Sequence, residues 1–221
     1  MEEKLIQNKI YSNMKYKEKY KDLYKGGKYK IKEDDGTWRV KSDGYGNGGG
    51  WKTILLTAQK YVAKNPGTFI LDYGCGSAIH WHRGVGIFNG KRYVPKGKNI
   101  PIKYDFMTMG EWLGPNVSGY YRYDPYHPIY NIRPPKIKFT LTVLTDVIEH
   151  IPIKELPEVL TDIANLTSID GAILLSIPKS PSAAYFLDGE NMHCTLMPEE
   201  EWKKIIRKHI PKHTIITNWT N

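Results

Sequence analysis

Four short apolar runs, each ended by a turn-forming or acidic residue and interleaved with helical patterns, constrain this chain more than any other feature. Thr68-Phe69-Ile70-Leu71-Asp72-Tyr73 passes directly into Gly74-Cys75-Gly76-Ser77-Ala78, the pattern of a buried strand turning into a helix. Gly119 to Tyr123 reads as a second strand ending at Asp124-Pro125, Phe139 to Leu144 as a third ending at Thr145-Asp146, and Ala172 to Ile177 as a fourth ended by Pro178. Ile54, Leu55, Ala58, Tyr61 and Val62 recur at three- and four-residue steps before the first strand, and Leu156, Val159, Leu160, Ile163 and Ala164 do so after the third. Gly171 breaks that second helix. Pro198 followed by three glutamates opens another, with Trp202, Ile205 and Ile206 on its buried side, and His213 to Trp219 reads as a last strand. Strands alternating with helices predict an α/β fold, doubly wound, with a mainly parallel sheet covered by helices on both faces.

The chain has 221 residues, enough for one substantial core plus an appendage. We divide it into a basic helical arm with a Gly-rich linker over 1–50 and a main domain over 51–221, with an insertion at about 84–105. Residues 2–25 read as a helix ended by Gly26-Gly27. Residues 34–50, with six glycines in seventeen positions, read as a loop or hinge. Met107 to Leu113 reads as a short helix. No apolar run approaches the roughly 18 residues of a membrane span, and the N-terminal charges have no apolar segment behind them. Cys75 and Cys194 form no CxxC pair, so a disulfide framework and a zinc knuckle are excluded. A cytoplasmic protein, of a cell or an infected host cell, with no membrane partner is expected.

The net charge of +9 is uneven, since residues 1–33 hold ten lysines against five acids. Between Lys15 and Lys30, seven lysines interleave with Tyr16, Tyr20, Tyr24 and Tyr29, a composition suited to phosphate contact and base stacking. Tyr16, Tyr20 and Tyr24 also recur every four residues, which places them on one helical face able to pack on the main domain. The favoured reading is that packing role. Nucleic acid is the alternative partner.

A glycine pair at a strand-to-helix turn allows close approach of a ligand, and the following helix start offers unpaired N–H groups. Asp72 within the first strand, with Asp124 and Asp146 ending later ones, would put three carboxylates at the sheet's carboxyl edge, where doubly wound folds bind ligands. Ile70 to Ser77 resembles the first motif of class I S-adenosylmethionine-dependent methyltransferases, and Thr145-Asp146-Val147-Ile148-Glu149-His150-Ile151-Pro152 resembles their fourth-strand motif. The likeness covers about residues 51–221. The 188–202 segment is similar to small phage methyltransferase-like proteins. What the resemblance implies is a Rossmann-like methyltransferase, abridged around the third strand because only fourteen residues separate Asp124 from Phe139. It implies cofactor contacts from Asp72, Gly74, Cys75, Gly76, Asp124 and Asp146, with Asp124 on the ribose hydroxyls. Ala78 replaces the third glycine of the usual turn.

Asp146-x-x-Glu149-His150 with a distant His193 supplies two carboxylates and two imidazoles, a set suited to a divalent cation. It is similar to the Glu-x-x-Glu-His plus remote histidine site of small-RNA terminal 2′-O-methyltransferases. Without a metal, His193 and Asp146 are the candidate catalytic pair, since a neutral imidazole suits proton removal near pH 7. His80-Trp81-His82 reads as ordinary lining. The expected activity is methyl transfer from S-adenosylmethionine to an acceptor of unassigned class: nucleic acid, nucleotide or small molecule. The rival is a non-catalytic protein of the same fold that holds nucleic acid through the basic arm.

Overall fold

The computed structural model describes residues 16–42, 51–78, 81, 85–88, 91–93, 106–107, 110 and 113–220. The expectations for residues 1–15, for the glycine-rich tip at 43–50, for His80 and His82 and for most of the insertion lie outside them. The described elements are α1 (Tyr16–Tyr24), β1 (Tyr29–Lys32), β2 (Trp38–Lys41), α2 (Trp51–Lys64), β3 (Thr68–Tyr73), β4 (Val85–Phe88), β5 (Lys91–Tyr93), β6 (Phe106–Met107), β7 (Val117–Tyr123), β8 (Phe139–Thr145), α3 (Leu156–Leu166), β9 (Thr167–Pro178), β10 (Ala184–Tyr185), α4 (Glu199–His209) and β11 (Thr214–Thr220).

Five strands form the central sheet in the order β11-β9-β8-β3-β7, and every pairing in it is parallel. Alternation within the strands serves both faces. Leu71, Leu144, Ile173, Leu175 and Ile177 join a core with Leu160 and Ile163 of α3 and Trp202 and Ile206 of α4. Ile70, Leu141, Val143, Ala172 and Leu174 join Ile54, Ala58 and Val62 of α2 on the other face. This is the α/β, Rossmann-like arrangement expected of strands buried on both sides.

Three details differ from expectation. The stretch read as a loop from Asp34 contains β2, which pairs antiparallel with β1, and β1 pairs in turn with β10. Asp35 closes this hairpin by accepting the Thr37 N–H and hydroxyl, a local bond that competes with longer helical or strand periodicity. Met107 lies in β6, paired with β4, rather than at the start of a helix. Gly171 lies inside β9, where an added Cβ would come within 2.7 Å of the Thr140 carbonyl oxygen. It permits close packing of neighbouring strands rather than ending a helix.

The segment α1–β1 sits on the main domain through a third core of Tyr20, Leu23, Tyr29, Phe186, Leu187 and Met192. Lys19, only 3% exposed, anchors it by contacting Asp188 at 2.5 Å and Glu190 at 2.7 Å. Among the described residues, no helix is long and apolar enough to cross a membrane.

Candidate functional site at the carboxyl edge

The carboxyl ends of β3, β7 and β8 are adjacent in the sheet, and α1 lies across them. A cavity of about 680 Å³, counted to its open mouth, is lined there by Tyr20, Tyr24, Gly74, Asp124, Asp146 and His150 among others. Tyr24 and Tyr20 reach it because the four-residue spacing puts both on the inward face of α1.

Asp124 is buried and its carboxylate is the hub of the turn region. Oδ2 accepts the Tyr24 hydroxyl at 2.9 Å and the Gly76 N–H at 3.1 Å; Oδ1 accepts the N–H groups of Tyr126 at 2.9 Å and His127 at 3.2 Å. Gly74 takes φ +75°, and a Cβ there would lie 2.6 Å from the Val147 side chain. Its lack of a side chain therefore already serves the packing of the β3 turn on the β8 turn. Asp146 ends β8 at φ +54°, an uncommon conformation for a residue with a side chain and one concentrated at functional turns.

The other predicted cofactor contacts face elsewhere. Asp72 accepts the Trp81 indole N–H at 2.7 Å and is buried, and Trp81 stacks on Tyr120 with ring centroids 4.1 Å apart. The Cys75 thiol lies in the core beneath α2, where burial pushes its pKa far up. Neither lines the cavity, and Gly76 meets it only through Asp124.

Three of the four proposed metal ligands converge. Ile148–His150 form a single 3₁₀ turn after β8, and the 180–195 loop is tied to it by the Thr195 N–H on the Glu149 carbonyl at 3.0 Å and the Thr195 hydroxyl on the Ile151 carbonyl at 2.6 Å. That loop carries His193. One ligand atom from each of Glu149, His150 and His193 lies within 4.8 Å of the other two, and Asp146 is not part of that set. Nε2 of His150 is 3.7 Å and Nε2 of His193 is 4.0 Å from Glu149 Oε1.

The tautomers follow from the opposite ring nitrogens. His193 Nδ1 lies 2.8 Å from the Ser180 carbonyl oxygen, and His150 Nδ1 lies 2.8 Å from that of Met192. A carbonyl only accepts, so both Nδ1 atoms carry the proton and both Nε2 atoms present lone pairs to Glu149. Glu149 is fully buried, and neither carboxylate oxygen has a side-chain hydrogen-bond donor; the backbone N–H groups of Glu149 and Val147 offset only part of the burial cost. Three acceptors thus face one another with no proton among them when the carboxyl is ionised. Burial, reinforced by Asp146, raises the Glu149 pKa well above its ordinary value; burial, and then His193, pushes His150 down to about 3; burial lowers His193. A divalent cation would supply the positive charge this donor set lacks, and two imidazoles with one carboxylate suit a transition metal. Backbone carbonyls on both Nδ1–H groups are the usual outer partners of metal-binding histidines.

Sequence reasoning missed Tyr20, Ser180 and Met192 as parts of this site. The tyrosine spacing gave the face on which Tyr20 sits; two carbonyl contacts leave no trace in residue type. Comparison with family models, with curated proteins and with solved structures finds no match.

Proposed function

We propose that the chain is an S-adenosylmethionine-dependent methyltransferase whose acceptor group is activated beside a divalent cation held by Glu149, His150 and His193. The observation that carries the reading is the convergence of Asp124, Gly74, Asp146 and His150 on one cavity over the carboxyl ends of three adjacent parallel strands. That edge is where doubly wound folds bind ligands, and the residues are those that the methyltransferase-like motifs supply. Tyrosines and acids around the cavity suit a sulfonium, which is attracted to aromatic faces and carboxylates. Methyl transfer asks mainly for alignment of donor and nucleophile. A bound cation would lower the pKa of an acceptor hydroxyl. His150 belongs to both the cavity and the cation cluster, so it would set the acceptor beside the donor.

One observation favours a second reading, a protein of this fold that binds its cation without methyl transfer: Asp124 already has four donors, leaving ribose hydroxyls to replace that of Tyr24. Calorimetry with S-adenosylmethionine and its demethylated product decides between them. Binding supports the methyltransferase; binding of cobalt(II) with neither nucleoside bound supports the second reading.

A further inference from the structure

Helix α1 supplies no ligand to the cation cluster, yet it touches one. The Tyr20 hydroxyl lies 2.7 Å from His150 Nδ1 and 3.3 Å from the Met192 carbonyl oxygen that the same Nδ1 approaches. Two acceptors cannot both face an unprotonated ring nitrogen, so the Nδ1–H is shared between the Met192 carbonyl and the phenol oxygen, and the phenol proton points to Met192. The three atoms form a closed triangle that fixes the rotation of the imidazole about its Cβ–Cγ bond. The Tyr20 ring is itself held, edge-on to Phe186 and to the His150 ring with centroids 5.3 and 5.9 Å apart and stacked on Tyr126 at 6.2 Å. It is 5% exposed.

We propose that Tyr20 is a positioning residue for the cation site, holding His150 so that Nε2 faces Glu149 and His193. This rests on the cation reading given above. His193 has no such side-chain partner among the described residues: its ring is oriented by the Ser180 carbonyl at the surface-facing end of the loop. The two imidazoles are therefore unequal. The better-fixed one depends on a segment 130 residues away in sequence, and the metal centre is complete only when α1 is docked. Removal of an outer partner of a metal-binding histidine lowers affinity about 10- to 100-fold.

The test is titration of the metal-free protein, α1 included, with cobalt(II), read by calorimetry and by the visible absorption of the bound ion. Tyr20→Phe keeps the packed ring and deletes only the hydroxyl. The expected result is a cobalt(II) affinity at least about tenfold weaker, an altered visible spectrum, and a melting temperature of the metal-free protein close to that of the parent. A hydroxyl that only ties α1 to the Met192 carbonyl would lower the metal-free melting temperature and leave the cobalt(II) affinity and spectrum unchanged. Parent and Tyr20→Phe proteins that bind cobalt(II) equally well and with the same spectrum overturn the Tyr20 assignment while the cation site stands. A parent that binds no cobalt(II) overturns the cation site and this inference with it.

Discussion

Tyr24 places its hydroxyl proton on Asp124 Oδ2 at 2.9 Å, at the position a ligand hydroxyl would need. The other Asp124 bonds come from backbone N–H groups of the β3 and β7 turns, which a ligand leaves in place. Tyr24→Phe removes the competing donor at the cost of one hydrogen bond, about 1 kcal/mol. S-adenosylmethionine should then bind several-fold more tightly by calorimetry. Unchanged affinity would show that the nucleoside does not use this carboxylate. Asp124→Ala, by orphaning four donors, should lower stability by about 2–4 kcal/mol in denaturant titration.

Glu149 is a buried carboxylate without a side-chain donor, so its replacement by an amide has opposite effects on stability and binding. In Glu149→Gln the amide N–H groups meet the two Nε2 lone pairs, and the buried charge is gone. The metal-free variant should be more stable than the parent by about 1–3 kcal/mol, a rise of several degrees in Tm for a chain of this length. It should also lose cobalt(II) binding. A variant less stable than the metal-free parent would contradict the environment described for this residue.

Stability of the metal-free protein should fall as the pH drops below about 6.5. Burial lowers the pKa values of His127, His150 and His193, His150 to about 3. Below the ordinary imidazole value the unfolded chain binds protons that the folded one refuses, so stability is present above that value and lost as pH falls toward the folded ones. Glu149 acts in the opposite sense: its raised pKa costs stability as pH rises above the usual carboxylate range, so acidification recovers that part. Urea titrations between pH 7 and pH 4 should accordingly show a steeper acid loss in Glu149→Gln than in the parent. Parallel curves would refute the assigned directions.

The buried Lys19 and the exposed lysines of the same helix should behave differently. Lys19→Met leaves Asp188 and Glu190 without their cation and should lower stability by about 2 kcal/mol, less than for a fully buried pair because Glu190 is 45% exposed. Changing Lys17 and Lys21 to Gln should shift stability by less than about 0.5 kcal/mol. If these lysines contact phosphates, the same change flattens the salt dependence of nucleic-acid binding; a parent that binds neither RNA nor DNA confines α1 to its packing and positioning roles.

The central sheet was legible because each of its strands is a run of β-branched or apolar residues with a hard stop, as at Asp124-Pro125 and Thr145-Asp146. The tyrosine face of α1 was legible from spacing alone. The hairpin of β1 and β2 was not: Tyr29 to Lys32 and Trp38 to Lys41 alternate polar and apolar residues over only four positions each, and their glycine-rich surroundings carry the signal of a loop. Within the site, the spacing from Asp146 to His150 brought Glu149 and His150 to one turn, but whether His193 joined them depended on the loop hydrogen bonds of Asn191 and Thr195. Asp72 and Cys75 show the reverse limit. Alternation along β3 turns Asp72, like Ile70, to the α2 face, and Cys75 in the following turn packs into the same core, so neither lines the cavity although the motif places them beside Gly74, which does.

The docking of α1 has a consequence for the order in which the molecule assembles. Its polar contacts span from 100 residues, for Tyr24 with Asp124, to 176, for Tyr16 with the Met192 carbonyl. Contacts of such high order carry the largest loop-closure penalty and depend on partners formed elsewhere in the chain. A nascent chain emerging N-terminus first exposes the tyrosine stripe long before Phe186 and Met192 leave the ribosome. For that interval the helix has no seat, and the cavity over the sheet has no roof until the segment carrying Phe186 and Met192 has been synthesised.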